Sequence, residues 1–424
     1  MSVAATEPSD IPPREKSEPP GKAIEADVLV IGGGLVGGIA AAALDVAGLS
    51  AAVVDREPPA VALAAGFDGR ASAIARASQQ ALRVLGLWDG IAPEACPIHD
   101  IRVSEGGSLL FLHYDHRELA DAPFGCLVEN RTLRRAIADR MPALRGVRYM
   151  APARLLTLER GPYRVHARLA DGREIRARLA IGADGRGSWT RQQASIPLTQ
   201  WSYGQSAIVC AVAHARDHDN VAHERFLPGG PFAILPLVDR RSSLVWVAPT
   251  AVAGEIMALD DDAFLAELGD RFGDFLGDLQ VVSPRWCHPL SLQFARETTA
   301  PRLALIGDAA HAMHPIAGQG LNMGIRDVAA LVEVLAEAAR LGLDIGSPTI
   351  LARYERWRRF DNHLMLAATD GLNRLFANDL TPLRWARDVG MAAVDRIVPL
   401  KRVFVRQAMG LAGDLPRLLR GERP

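Results

Sequence analysis

The chain has 424 residues, a formal net charge of −1 and an apolar content of 49%. This length predicts two domains with sizeable cores, and the balanced charge excludes a general electrostatic attraction to nucleic acid. The four cysteines form no C-x-x-C pair, so the sequence offers no metal or disulfide framework and indicates a reducing cytosol.

The N-terminal segment, residues 1–25, is rich in Pro, Glu and Ser and has almost no apolar periodicity. Such a composition predicts a disordered leader. The segment lacks the apolar core of a secretory signal. Because no run along the chain approaches ~20 apolar residues, we expect no transmembrane helix.

The first ordered unit is a strand, a glycine-rich turn, a helix and a second strand. Residues 27–31 form a continuous apolar run, which predicts a buried parallel strand. A helix is predicted over residues 35–48 and a second strand over residues 51–54, ending at Asp55. This order matches the crossover that joins two parallel strands.

The turn in this unit reads Gly-Gly-Gly-Leu-Val-Gly and fits the G-x-G-x-x-G pattern. Gly32 permits the tight turn, Gly34 lets a pyrophosphate approach the backbone, and Gly37 lets the helix pack closely on the strand. Asp55 stands where a carboxylate binds the hydroxyl pair of a ribose. The unit therefore predicts a dinucleotide site, and the alternative is a plain glycine-rich turn.

The rest of the chain alternates between helical and strand-like patterns. Strand-like segments dominate residues 197–297, which indicates a second, sheet-rich domain interrupted by one helix. The other predicted elements are a helix over 70–90, strands over 98–120, a helix over 131–145, strands over 150–181, a strand over 302–306, a helix over 321–341 and mostly helix over 350–420.

A second glycine-rich junction again joins a buried strand to a helix. Its Asp308 can accept bonds from sugar-like hydroxyls, and Gly318 and Gly320 expose backbone N–H groups that suit an anionic oxygen or a ring carbonyl. His311 and His314 lie in the same stretch. Two histidines without a third ligand do not complete a metal site, so we predict no metal.

A third motif, Gly-Ala-Asp-Gly-Arg-Gly-Ser over residues 182–188, also ends a strand-like run. Its Asp184 followed by glycine is explained equally well as a simple turn. In combination, however, the three motifs resemble in order and spacing those of the class A flavoprotein monooxygenases.

That resemblance implies an α/β fold: a Rossmann-like FAD-binding domain with an inserted sheet-rich substrate domain and a helical C-terminus. It implies these boundaries: a leader over 1–25, the FAD-binding domain over 26–196 and 298–345, including some substrate-domain strands in its first part, the substrate domain over 197–297, and the helical region over 346–424. The FAD-contacting residues it implies are Gly32, Gly34, Gly37, Asp55, Arg70, Asn130, Asp184, Asp308, Gly320, Leu321 and Asn322.

Longer strings are similar to those of the ubiquinone-biosynthesis hydroxylases, which act on polyprenylated phenols. The similarity extends from about residue 26 to residue 413, and the main departure is Asp55, where the family usually has glutamate. The strings are residues 69–70, 85–88, 128–131, 224–237, 314–322, 369–376 and 408–410.

The resemblance implies an FAD-dependent monooxygenase that hydroxylates the ring of a polyprenylated phenol through a flavin C4a-hydroperoxide. The pocket must then be dry. The implied partners are O₂ and NAD(P)H or a redox partner protein as electron donor, together with other quinone-biosynthesis enzymes, and no nucleic acid. No catalytic acid or base is identified from the sequence. The substrate pocket is predicted to include Phe226, Leu227, Pro228, Phe232, Leu235 and Pro315.

Several alternatives stay open from the sequence. The FAD enzyme could act on another aromatic substrate, or be a non-catalytic FAD-binding component of a quinone-biosynthesis complex. Residues 227–237 could be an ordinary hairpin. The basic C-terminus either touches a membrane or forms a packed helical cap. We expect a cytoplasmic protein, peripheral on the inner face of the membrane in the first case.

Overall fold

The computed structural model describes residues 23–64, 66, 68–105, 111–119, 122–315, 318–376 and 398–424. The predicted leader lies almost wholly outside these residues, and β1 begins at Ile24. The strands are β1 (Ile24–Ile31), β2 (Ala51–Val54), β3 (Ala71–Ala75), β4 (Cys96–Ile98), β5 (Asp100–Glu105), β6 (Phe111–Asp115), β7 (Gly125–Glu129), β8 (Val147–Met150), β9 (Leu155–Arg160), β10 (Val165–Leu169), β11 (Glu174–Gly182), β12 (Leu198–His214), β13 (Val221–Leu227), β14 (Gly230–Leu237), β15 (Arg241–Pro249), β16 (Leu279–Val281), β17 (Trp286–Ala295), β18 (Thr299–Ala300), β19 (Leu303–Leu305) and β20 (His311–Ala312). The helices are α1 (Leu35–Val46), α2 (Pro59–Ala62), α3 (Arg76–Val84), α4 (His116–Leu119), α5 (Asn130–Arg140), α6 (Trp189–Gln193), α7 (Thr250–Met257), α8 (Asp261–Phe272), α9 (Gly320–Arg340), α10 (Pro348–Phe376) and α11 (Val398–Ala408).

The first sheet has a parallel core in the order β19-β11-β1-β2-β8. Side chains alternate along β1, so Val28 and Val30 pack beneath α1 and α9, while Leu29 and Ile31 pack in the core on the opposite face. Burial on both faces explains why the second half of this strand, residues 28–31, is an unbroken apolar run. The carboxyl ends of these parallel strands form the edge on which an open α/β sheet binds its ligand.

The second sheet has nine strands, with the order β20-β17-β12-β15-β14-β13-β5-β6 and β16 paired to β12. One face is covered by α7 and α8, and its core includes Phe232, Trp246 and Phe264. A small sheet, β3-β7-β4, lies against the other face, where Leu127 of β7 packs with Leu237 of β14. The small sheet therefore connects the two large ones.

Two strands from early in the chain belong to this second sheet. β13 runs parallel to β5 from Val221 beside Asp100 to Phe226 beside Glu105, and β6 pairs with β5. The substrate sheet thus includes chain that precedes residue 197, as the sequence had indicated for some strands. The exact domain boundaries stay a prediction.

The helix predicted over residues 70–90 is wrong in its first part. Residues 71–75 form β3, which pairs with β7 from Ala71 beside Glu129 to Ala75 beside Gly125, and α3 begins only at Arg76. The small side chains of Ala-Ser-Ala-Ile-Ala carry a helical propensity that pairing with β7 overrides. This difference matters because β3 borders the candidate site described below.

The C-terminal turn at residues 417–420 is packed against the first domain. Leu418 and Leu419 are buried in its core, and the Arg340 side chain donates a hydrogen bond to the carbonyl of Pro424. These residues therefore form a cap rather than a free basic tail. Among the described helices, none combines the length and apolar content needed to span a bilayer.

Candidate active site

The glycine turn between β1 and α1 owes its shape to two glycines. Gly32 has a φ of +100°, and its N–H donates to the carbonyl of Val54 at 2.8 Å. A Cβ on Gly37 would stand 1.8 Å from the carbonyl oxygen of Gly32. A Cβ on Gly34, in contrast, would meet nothing within 4 Å. Gly32 and Gly37 therefore allow the turn, whereas Gly34 presents an open backbone surface.

Asp55 is tied to this turn from the end of β2. One carboxylate oxygen accepts from the Gly33 N–H at 2.6 Å and the other from the Glu57 N–H at 2.8 Å. Tyr149 of β8 lies beside them, and burial together with the Asp55 charge raises the pKa of its hydroxyl to about 12. Tyr149 therefore stays a neutral hydrogen-bond donor at physiological pH.

A cavity of about 800 Å³ begins at this turn and extends to the start of α9. Its volume lies in the range of cofactor pockets. One end is apolar and suits a flat base, because it is formed by α5 and the residues that follow it: Ile137, Ala138, Met141, Pro142 and Leu144. The predicted residues that line the cavity are Gly34, Asp55, Arg70, Asn130, Asp308, Pro315, Gly320 and Leu321.

The far end of the cavity is formed by the second glycine-rich junction. Asp308 lies in a single 3₁₀ turn after β19, and its carboxylate is 3.4 Å from Nε of Arg186. Gly320 and Leu321 open α9, so the first N–H groups of that helix face the cavity. A helix N-terminus offers unsatisfied donors and a partial positive charge. This end can therefore receive an electron-rich ring carbonyl.

Two of the predicted cofactor residues instead make internal bonds. Asn322 joins α9 to β3, because its Oδ1 accepts from the Ala75 N–H at 2.9 Å and its Nδ2 donates to the Ala73 carbonyl at 2.8 Å. Asp184 accepts from Ser188 Oγ at 2.5 Å and from the N–H and hydroxyl of Thr190, both at 2.9 Å. Its neighbours Ala183, Gly185 and Arg186 line the cavity. A direct cofactor contact of Asp184 or Asn322 stays a prediction.

Arg70 and Asn130 meet at Asp68, a residue that the sequence analysis did not assign to the site. The buried Asp68 carboxylate accepts from Arg70 Nε at 2.9 Å and from Asn130 Nδ2 at 3.2 Å, and it also pairs with Arg134. Burial opposes its ionisation, but these arginines hold the pKa of Asp68 well below its usual value. A permanent anion therefore orients both cationic side chains at the cavity wall.

The variant Asp68→Asn is expected to weaken FAD binding by about tenfold to a hundredfold, the equivalent of one or two hydrogen bonds to a charged group. The reason is that Arg70 and Arg134 lose the anion that fixes them. Titration of the apoprotein with FAD, followed by flavin fluorescence, measures the change.

The chain contains a matched control in the same Asp-Gly-Arg tripeptide at residues 171–173. Asp171 accepts there from the N–H of Arg173 at 3.1 Å and from its Nε at 2.8 Å, in an exposed hairpin turn. Asp171→Asn should leave FAD affinity unchanged. Equal affinities of Asp68→Asn and the wild type would show that this carboxylate has no part in cofactor binding.

The predicted pocket residues of β13 and β14 fall on two faces of the sheet. Phe232 is fully buried, and it and Leu227 pack beneath α7 and α8. Phe226 and Leu235 point to the other face, since Leu235 packs with Ala73 and Leu127 around the small sheet. Pro228 lies in the turn between the two strands. Only the second face is directed toward the candidate site.

The comparisons with known proteins agree with this geometry. A family model described as an FAD binding domain matches residues 25–366. Ubiquinone hydroxylase UbiL of Rhodospirillum rubrum is 53% identical over 93% of each chain. The 3-demethoxyubiquinol 3-hydroxylase of Escherichia coli is 36% identical over 91% of this chain and 98% of its own. The mouse mitochondrial ubiquinone biosynthesis monooxygenase COQ6 is 36% identical over 88% and 89%.

Among solved structures, p-nitrophenol 4-monooxygenase PnpA of Pseudomonas putida superposes with a TM-score of 0.75 at 20% identity, covering 93% of this chain and 99% of its own. This likeness shows the fold, which is that of an FAD-binding monooxygenase with a Rossmann-like domain. The chain belongs to the ubiquinone-biosynthesis FAD-dependent hydroxylases, within the class A flavoprotein monooxygenases, and is an FAD-dependent aromatic hydroxylase.

The residues present fit FAD on structural grounds. The backbone of Gly34 lies open beside the N-terminus of α1, where a pyrophosphate needs close approach. Asp55 stands at the end of β2, where an acid receives ribose hydroxyls. The 800 Å³ cavity then continues past Asp308 to the start of α9.

Proposed function

We propose that this enzyme hydroxylates the aromatic ring of a polyprenylated phenol in ubiquinone biosynthesis, using O₂ and electrons from NAD(P)H or a redox partner protein. The names of the most similar relatives support this substrate class. The structural observation that carries the proposal is the contact between the far end of the cavity and the apolar face of the second sheet. A Cβ on Gly318, which lines the cavity, would lie 3.0 Å from Cβ of Ala73, and Ala73 packs with Leu235 of β14.

Bound FAD supplies the redox chemistry that activates O₂. The protein then has three tasks. Gly34 and Asp55 would hold the nucleotide end of the cofactor, and Asp308, Gly320 and Leu321 its flavin end. The apolar face that continues from Ala73 excludes water from the ring and accepts a greasy substrate.

Deletion of the gene, followed by mass spectrometry of quinone precursors, tests the proposal. We expect ubiquinone to fall and a prenylphenol that lacks one hydroxyl group to accumulate, and wild-type protein to reverse both changes. Normal ubiquinone levels with no accumulated prenylphenol would exclude this substrate. Complementation of the deletion strain with a variant that binds FAD but cannot hydroxylate separates catalysis from a purely structural role in a biosynthetic complex, because only a structural role would let this variant restore ubiquinone.

Peripheral contact with the inner face of the membrane, and with other enzymes of the pathway, would bring the enzyme to such a lipid-soluble substrate. On α10, the exposed side chains of Phe360 and Leu364 lie beside the exposed Arg356 and Arg359. Apolar and basic groups together suit a surface of anionic lipid. Cosedimentation with anionic vesicles tests this contact, which is absent if the protein stays in the supernatant.

A further inference from the structure

Glu224 is an acidic residue on the face of the second sheet that meets the small sheet. It lies in β13 beside Ala233 of β14 on one side and Val103 of β5 on the other. Directly paired residues share a face. Since Ala222 and Leu235 both pack in the cluster that includes Ala73, Glu224, two residues from Ala222 along the same strand, points to that same side.

This face connects Glu224 with the cavity. The row that contains Ala222 and Leu235 packs with Ala73, which touches the cavity wall at Gly318. Two residues along a strand correspond to ~7 Å. Glu224 therefore lies about the width of one aromatic ring from Ala222, whose cluster reaches the far end of the cavity through Ala73.

The surroundings of this face are largely apolar, and Glu224 itself is half-buried. Val405 and Met409, in and just after α11, pack against Ala222. Beyond the Glu224 row, Gln205 donates to the carbonyl of Gly229 at 3.2 Å, and Asn373 of α10 donates to Gln205 at 3.5 Å. The face between the cavity and the hairpin turn is thus bounded by two helices.

Within the described residues, no side chain gives the Glu224 carboxyl group a hydrogen bond or an ion pair, and burial alone raises its pKa to about 7. The titratable groups that share its side are few. Glu105 of β5 lies beside Phe226, and Lys401 of α11 lies over the Tyr114 ring of β6 at 5.5 Å. No titratable residue of β14 shares its side. His223 and Arg225 point to the opposite face, toward Phe275 and the end of α8.

We propose that Glu224 is the catalytic base that accepts the proton of the substrate's phenolic hydroxyl. The inference rests on the proposed function, because it requires a phenol bound between the sheet face and the far end of the cavity. A carboxylate without a fixed partner in an apolar site is available for proton transfer, whereas the ion-paired Asp68 and Asp327 are not.

The proton transfer activates the ring. As a ring carbon bonds to one oxygen atom derived from O₂, the bond between the two oxygen atoms breaks and its electron pair stays on the second oxygen. At the same time the phenolic O–H bond breaks, its electron pair becomes part of a C=O bond, and Glu224 takes the proton. The ring carbon then loses its hydrogen as a proton, which goes to the second oxygen atom of O₂ and ends in water. Rearomatisation returns the Glu224 proton to the carbonyl oxygen. The electrons come from the donor that reduces the FAD.

The test compares wild type with Glu224→Gln and Glu224→Asp, all loaded with FAD, on the geranyl analogue of the prenylphenol that accumulates in the deletion strain. In the wild type we expect kcat to rise with pH through about 7, as the carboxylate forms. In Glu224→Gln we expect kcat at pH 8 to fall by about a hundredfold, within the usual range for a lost general base. The remaining activity should rise only toward pH ~10, where a phenol ionises by itself.

In Glu224→Asp the rise of kcat with pH should still occur near neutral pH, but kcat should be lower. Glu159→Gln, a substitution at an exposed residue of β9, should behave as wild type. The infrared band of a protonated carboxylic acid that disappears between pH 6 and 8 in the wild type should be missing in Glu224→Gln. If the wild type hydroxylates the phenol and Glu224→Gln shows the same kcat and pH profile, Glu224 is not the base. If the wild type does not hydroxylate it, the proposed function itself fails.

Discussion

Gly34→Ala is expected to leave the fold intact and to remove most of the FAD affinity, with a loss of at least about a hundredfold. The added methyl group meets no protein atom within 4 Å, and Gly34 has a φ of −65°, which alanine adopts without strain. The methyl group would occupy the space through which a pyrophosphate approaches the N–H groups of α1. The melting temperature of the apoprotein and an FAD titration measure the two effects separately.

Substitutions of two other glycines serve as comparisons for Gly34→Ala. Gly37→Ala places its Cβ 1.8 Å from the Gly32 carbonyl, so it should destabilise the apoprotein as well. Gly254→Ala, in the exposed part of α7 with no neighbour within 4 Å, should change neither FAD affinity nor fold, and should stabilise the helix by up to about 1 kcal/mol. Normal FAD affinity in Gly34→Ala would place the pyrophosphate elsewhere.

The contrast between these glycines shows what the sequence could predict. The spacing of the glycines from Gly32 to Gly37 predicts a tight turn between a strand and a helix. This spacing alone was therefore enough to predict a ligand site at the turn, where the cavity begins. Asp184 and Asn322 stand in equally recognisable motifs, but a motif does not state where a side chain points. Asp184 bonds within its own loop and Asn322 bonds to β3.

Residues that meet only through the fold gave no signal in the sequence. Asp68 pairs with Arg134, 66 residues away, and Tyr149 reaches Asp55 from a strand that pairs with β2. The two faces of β14 illustrate the same limit. Because side chains alternate along a strand, Phe232 and Leu235, three residues apart, lie on opposite faces of the sheet. Only the positions of α8 and the small sheet decide which of the two faces meets the site.

Asp327→Asn is expected to lower the free energy of unfolding by about 3–5 kcal/mol, the usual cost of removing one partner of a buried ion pair. Asp327 of α9 is fully buried. One oxygen accepts from Arg358 Nε at 2.8 Å, and the other is 2.6 Å from His311 Nε2 and accepts from the Gly307 N–H at 3.0 Å. The same carboxylate therefore compensates a buried arginine of α10 and fixes the turn that carries Asp308.

Two measurements follow from this double role. Burial disfavours the Asp327 anion, but His311 and Arg358 outweigh burial and lower the pKa of Asp327 to about 2. Because the folded-state pKa is depressed, its contribution is present above the unfolded pKa of about 4 and is lost as pH falls toward 2. Wild type should therefore lose stability across that window more steeply than Asp327→Asn. The variant should also retain less FAD, since the Asp308 turn loses its anchor.

The comparison variant is Asp361→Asn, which removes a carboxylate that pairs with Arg358, at 2.9 Å, and with Arg326, at 3.2 Å, in the same network. Its side chain is 22% exposed, so water can replace part of the lost interaction, and the cost should be smaller than that of Asp327→Asn. Equal stability of Asp327→Asn and wild type would mean that Arg358 finds compensation without Asp327. A stable Asp327→Asn that still loses FAD would leave the carboxylate only its second role, as the acceptor that holds the Gly307 turn in place for the cofactor.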